Sequence, residues 1–142
     1  FFGISAEHTR AHMLRAVYEG VALAMLDCYR QIPVDIDEWY IAGGGKRSRF
    51  WTQMFANATG RAILVPAGEE LGARGVAILA GVACGVYASV EDAMQQVIRI
   101  ERRHEPDPEA NTAYRALYEL YRHIYQQLFD AWWQRHRLLN EL

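Results

Sequence analysis

Between Thr9 and Gln31 the apolar and small positions fall at Met13, Val17, Gly20, Val21, Ala24 and Cys28. Steps of three and four residues predict a helix. Ser5 suits the N-cap position, and Pro33 closes the run. The centre, GVALAML, is apolar nearly all round, so this helix is expected to be buried on more than one side. The pattern then changes. Trp39, Tyr40, Ile41 and Ala42 form a short apolar run that ends in Gly43, Gly44 and Gly45. Such a run predicts a strand covered on both faces, as in a parallel sheet. Helical spacing returns from Ser48 to Ala58, with Phe50, Met54, Phe55 and Ala58 on one face and Gly60 as the stop.

The stretch RAILVP predicts a second strand, closed by Pro66. A third helix is expected within EELGARGVAILAGVACGVY. Its small residues Gly72, Ala73, Gly75, Ala77, Ala80, Gly81 and Ala83 would let it lie close to a neighbouring element or to a ligand cleft. Glu69 and Glu70 stand where a helix start favours negative charge. Ser89 and Asp92 form a capping-box pattern for a helix from Val90 to about Ile98. The basic cluster Arg102, Arg103 and His104 and the stretch HEPDPEAN read as a solvated connector. Asp107 followed by Pro108 starts a last helix, expected to run to about His136 with Tyr114, Leu117, Tyr121, Ile124, Leu128 and Ala131 on one face. Its tyrosines and the pair Trp132 and Trp133 make a weak zipper, so packing against its own domain is expected, with an aromatic interface patch as the alternative.

The order helix, strand, helix, strand, helix, helix, helix is α/β with an interior βαβ unit. Two strands make a poor sheet by themselves. Further strands are therefore expected before Phe1, and the 142 residues are expected to be one domain of a longer chain. With 51% hydrophobic residues a disordered segment is excluded. A net charge of −2 gives no basis for binding nucleic acid or a membrane surface. No apolar run approaches the roughly 18 residues of a membrane span, and the start has no signal-peptide pattern, which points to the cytoplasm. Cys28 and Cys84 sit inside apolar helical patterns and read as small buried hydrophobes in a reducing compartment. His8 and His12 are four apart, as two zinc ligands on one helix face would be, but no third ligand suggests itself and no metal site is expected.

The chemistry rests on the glycine triplet. A P-loop needs a Gly six residues before the Lys and a Ser or Thr after it. Here those places hold Tyr40 and Arg47. The dinucleotide pattern G-x-G-x-x-G is met at Gly43 and Gly45, but its third place holds Ser48. The setting still suits phosphate: glycines at a strand end, a following helix start, and Lys46, Arg47 and Arg49 nearby. A plain βα turn with solvent-facing basic residues fits the same residues.

Three blocks then carry a resemblance. FFGISAEHTRAHMLRAVYEGVALAM, IAGGGKRSRFWTQMFANATG and EELGARGVAILAGVACGVYASVEDA resemble, in order and spacing, the C-terminal domain of the FGGY carbohydrate kinases, closest to the xylulose kinases. HTRAHMLRAVYEGV is similar to the L-xylulose kinase branch. The blocks cover about residues 1 to 98, and the tail from 107 fits loosely. Lys46 and Arg47 depart from the family, which often has Ala or Pro after the glycines. The resemblance implies the C-terminal part of an actin-like (ribonuclease H-like) ATPase fold, helix-rich, with part of the sheet outside residues 1–142.

The activity it implies is transfer of the γ-phosphoryl of MgATP to a hydroxyl of a pentulose or related sugar. Gly43, Gly44, Gly45, Lys46 and Ser48 would bind nucleotide, with Gly44 near the α-phosphate and Ser48 beside adenine. The partners implied are nucleotide, sugar and the protein's own N-terminal domain, with a homodimer left open. The catalytic base and most of the Mg²⁺ site would lie in that other domain, so no catalytic residue is assigned. Two other classes fit the glycines: a non-catalytic actin-like nucleotide-binding regulator, and a dinucleotide-binding module.

Overall fold

A computed structural model describes residues 1–140. Its elements are α1 (Arg10–Tyr29), β1 (Glu38–Tyr40), a 3₁₀ turn (Gly44–Arg47), α2 (Arg49–Thr59), β2 (Ala62–Pro66), α3 (Leu71–Ala83), α4 (Val90–Val97), β3 (Ile100–His104), α5 (Pro108–Gln127) and α6 (Phe129–Asn140). The sheet has the order β1-β2-β3, with β1 parallel and β3 antiparallel to β2. Every residue of β2 is buried, as its unbroken AILVP run requires of a strand flanked on both sides.

The core lies between α1, α2, β2 and α5. It contains Leu23 and Leu26 of α1, Met54, Phe55 and Ala58 of α2, Ile63 of β2, and Tyr114 and Tyr118 of α5. Both tyrosines bury their rings and give their hydroxyls an acceptor, as buried tyrosines must. Tyr114 Oη donates to Glu19 Oε1 at 3.1 Å, and Tyr118 Oη to Asp27 Oδ1 at 2.7 Å. Arg122 Nη1 also donates to Asp27, at 2.8 Å. The C-terminal helix is thereby latched to α1.

The helix signals predicted at Gly60 and Asp107 are realised. Ser48 stands one place before the helix it was expected to begin and caps it. Of the capping-box pattern the Ser89 half is formed, while Asp92 Oδ2 accepts from Ala88 N at 3.1 Å. Ser48 Oγ accepts from Trp51 N at 3.2 Å, Ser89 Oγ from Asp92 N at 3.2 Å and Asp107 Oδ1 from Ala110 N at 2.9 Å. Gly60 ends α2 in the left-handed conformation at φ 68°.

Five expectations are corrected. The N-cap of α1 is Thr9 rather than Ser5, which instead closes a separate turn with His8 N donating to Ser5 O at 3.2 Å. α1 is buried on one side only: Val17 and Val21 on its other flank are 51% and 41% exposed. Cys28 lies on that open flank and is exposed, as is Cys84 at the end of α3. The supposed connector at 100–104 is β3, pairing Leu64 with Arg103 and Val65 with Arg102. The last helix breaks at Leu128 into α5 and α6, although residues 109–140 contain neither Pro nor Gly. Tyr114 and Tyr118 pack as expected on the domain, whereas Trp132 and Trp133 of α6 stay 43% and 55% exposed.

Candidate nucleotide site at the glycine turn

β1 hands the chain to the glycines at the carboxyl end of the sheet. Ile41 N still donates to Leu64 O at 3.0 Å, so pairing with β2 extends one residue past the strand. Gly43 then takes φ 78° and ψ −174°, a conformation that only glycine adopts without strain. Lys46 N closes back on Gly43 O at 3.2 Å and Ser48 N on Gly45 O at 3.2 Å. Ser48 at once caps α2.

This geometry leaves the amides of Gly43, Gly44 and Gly45 without an acceptor among the described residues. The space beside the first two is open: a Cβ added at Gly43 or Gly44 would meet nothing within 4 Å. At Gly45 it would come within 3.0 Å of the Trp51 ring, which packs closely against this glycine. Consecutive free N–H groups beside a helix start form an anion-holding concavity.

The neighbouring loop, after β2, is tied to this turn by side chains. Lys46 is 5% exposed, and its Nζ donates to Pro66 O at 3.0 Å and to Gly68 O. Arg47 Nη2 meets Glu69 Oε2 at 2.5 Å, and this hydrogen bond holds the exposed Glu69 carboxyl below its ordinary pKa. Arg102 Nη2 of β3 donates to Lys46 O at 2.5 Å, and Arg74 Nη1 to Ala67 O at 2.8 Å. Beyond the turn, a shallow apolar pocket of about 200 Å³ lies over the same strand ends, between Tyr40, Ala42, Pro66, Leu71, Ile78 and Ile98. Crevices at the carboxyl ends of parallel strands are where open α/β sheets bind ligands.

All five residues marked in the sequence thus lie on one turn. Gly43 and Gly44 border open space, and Gly45 and Ser48 are half-buried beside them. Lys46 does not border it: its ammonium is buried against the carbonyls of Pro66 and Gly68. Sequence reasoning missed Arg102 as part of this construction. The residue types of IERRH carry no such signal; the period of two appears only in the folded strand, where Arg102 and His104 are half-buried while Glu101 and Arg103 are exposed.

His8 and His12 stand edge to face at 5.7 Å, and each takes a backbone proton on Nδ1, from Ser5 at 3.0 Å and Thr9 at 3.1 Å. Among the described residues no three His, Cys, Asp or Glu side chains converge as a metal group.

Residues 1–84 match the FGGY family of carbohydrate kinases, C-terminal domain. The chain belongs to that family. Among its FGGY relatives, the L-xylulose/3-keto-L-gulonate kinase of Escherichia coli K12 is 36% identical over 97% of this chain and 29% of its own length. The autoinducer-2 kinase of Salmonella paratyphi B is 34% identical over 82% of this chain and 23% of its own. The crystal structure of xylulose kinase from Rhodospirillum rubrum superposes with a TM-score of 0.78 at 30% identity, covering 90% of this chain and 27% of that one. The α/β, helix-rich fold is therefore that of an FGGY C-terminal domain, and the chain spans about a quarter of the length of these relatives. Among the described residues, no helix of this FGGY domain is long and apolar enough to cross a membrane.

Proposed function

We propose that residues 43–48 hold the phosphate chain and adenosine end of ATP, and that residues 1–142 form the nucleotide-binding C-terminal domain of an ATP-dependent sugar kinase. The acceptor is a hydroxyl of a pentulose such as xylulose, the sugar named in several of the relatives. The observation that carries this reading is the row of amides at Gly43, Gly44 and Gly45 without an acceptor among the described residues, past the carboxyl end of β1, where Gly43 and Gly44 border open space.

The residues present fit a nucleotide. The amides would bind phosphate oxygens, and the start of α2 adds its dipole. Ser48 accepts from Trp51 N and so leaves its O–H free to donate outward. MgATP supplies the γ-phosphoryl group, with the cation offsetting the phosphate charge. This chain's task is to orient one end of the donor, so that closure against an N-terminal domain aligns donor and acceptor and excludes water. That domain would provide the sugar pocket, the general base and most of the Mg²⁺ ligands. The cytoplasm is the compartment proposed, since it supplies the ATP.

The test is a titration of the full-length protein with MgATP and, separately, NAD, following protection from thermal unfolding. Saturable protection by MgATP alone, with phosphate transfer to xylulose, is the expected result. Protection by NAD alone, or by neither, defeats the reading.

A further inference from the structure

We propose that Lys46 is a positioning residue for this site: its buried ammonium pins the glycine turn after β1 to the loop after β2, and so fixes the orientation of the free amides. The inference rests on the nucleotide reading above and assigns a task to the residue that departs from the family pattern.

Lysine is seldom this buried without a compensating partner. Lys46 and Thr52 are the buried polar or charged side chains among the described residues. The compensation at Lys46 comes from two main-chain carbonyls rather than a carboxylate: Pro66 O, at the last residue of β2, and Gly68 O, two residues on. The main chain of Lys46 is held as well. Its N–H donates to Gly43 O at 3.2 Å, and its carbonyl accepts from Arg102 Nη2 at 2.5 Å. Residue 46 is thus one junction joining the turn, the loop after β2 and β3.

The glycines cannot hold themselves in place. Gly43 and Gly44 have no side chains to pack and nothing within 4 Å of where a Cβ would stand. Glycine also has the most backbone freedom to lose. A turn of this kind must be ordered from outside, or its ligand bears the cost of ordering it. The lysine stem and ammonium supply that order through the carbonyls of Pro66 and Gly68. Lys46 therefore acts on a nucleotide through Gly43, Gly44 and Gly45 and not by touching it.

The experiment measures dissociation constants for MgATP and for xylulose, each by calorimetry, on the full-length protein and three variants. Lys46→Met keeps the stem and removes the donors. It should weaken MgATP by about tenfold or more, the scale of a lost charged hydrogen bond, and leave xylulose within about twofold. Lys46→Arg restores donors to the carbonyls and should bring MgATP back to within about threefold of the parent. Arg102→Leu removes the tie from β3 while sparing the ammonium, and should weaken MgATP by a smaller factor, about threefold.

A methionine variant that binds MgATP like the parent overturns the inference. So does a parallel loss of xylulose affinity, or an arginine variant no better than the methionine one. If the methionine variant does not fold, the arginine and Arg102→Leu variants decide, and unchanged affinity in the latter overturns it. A parent protein with no saturable MgATP binding defeats the nucleotide reading itself, an outcome distinct from the others.

Discussion

The two strand-to-helix junctions of this domain start alike and end differently. Each strand runs out at its carboxyl end into a loop containing a glycine with positive φ, Gly43 at 78° and Gly68 at 91°, and then into a helix. After β1, Ser48 caps α2, and five residues of that helix are buried. After β2, Glu70 offers no side-chain cap, and only Ile78 of α3 is buried. The first junction is a load carried by the core; the second lies on the surface of the described residues. Small residues permit close approach without producing it. A Cβ at Gly72 or Gly75 would meet nothing within 4 Å, while at Gly81 it would run into the Tyr87 ring at 2.7 Å.

The largest effect that tests this contrast is on packing. Phe55→Ala in α2 should destabilise the domain by about 3–5 kcal/mol, since it empties a well-filled core site. Leu79→Ala in α3, where the side chain is 61% exposed, should stay within about 0.5 kcal/mol. Urea denaturation midpoints of the two variants measure the difference, and equal costs would erase the distinction.

The glycines should differ in sign. Gly60→Ala forces a side chain into the left-handed region at φ 68° and to within 2.9 Å of Asn111 Nδ2. Asn111 is not free to yield, because that nitrogen donates to Asn57 O at 2.7 Å. A loss of about 1–3 kcal/mol is expected. Gly75→Ala sits in mid-helix with open space around it and should gain about 0.5–1 kcal/mol. Thermal melts decide the signs. A loss at Gly75 of the size seen at Gly60 would mean that α3 is covered in the full-length protein.

The caps come next. Ser48→Ala should cost about 1 kcal/mol, whereas Glu70→Ala should cost close to nothing, because only Ser48 satisfies a backbone donor. The same denaturation assay reads both, and a cost at Glu70 matching that at Ser48 would contradict the capping account.

These contrasts also mark what was legible in the sequence. Most caps and stops were readable because their cause is local: Gly60, Ser89 and Asp107 act within four residues of themselves. β2 was readable because an unbroken apolar run bounded by Arg61 and Pro66 leaves few alternatives. β3 was not, because IERRH earns its place through partners some 40 residues away in sequence, Leu64 and Val65, rather than through its own hydropathy. The exposure of Cys28 and of the outer flank of α1 was hidden for the converse reason. An apolar pattern reports what a surface is suited to, and about 770 Å³ of open apolar groove beside Val17, Val21 and Leu117 shows that suitability unmet here. At the proposed site, the glycines and Ser48 were marked because backbone chemistry selects residue type. The placement of Lys46 was misjudged because a basic residue next to glycines reads the same whether its ammonium faces a phosphate or a carbonyl.

The smallest effect is electrostatic and again belongs to the first junction alone. Thr52 of α2 is fully buried, and its hydroxyl lies 3.0 Å from His104 Nε2 of β3, while Gln53 Oε1 lies 3.0 Å from His104 Nδ1. Burial first, then the nearby positive charges of Arg102 and Arg49, push the His104 pKa below its usual 6.5. The folded protein then binds fewer protons than the unfolded chain in the window between the lowered value and about 6.5. This contribution to stability is therefore complete above the unfolded pKa and declines as pH falls through the folded one. The urea midpoint should be lower at pH 5 than at pH 7.5, and His104→Gln should flatten that slope. A variant with the parent's slope would show that the tie between α2 and β3 does not depend on a neutral imidazole, and would leave the two junctions distinguished by packing and capping alone.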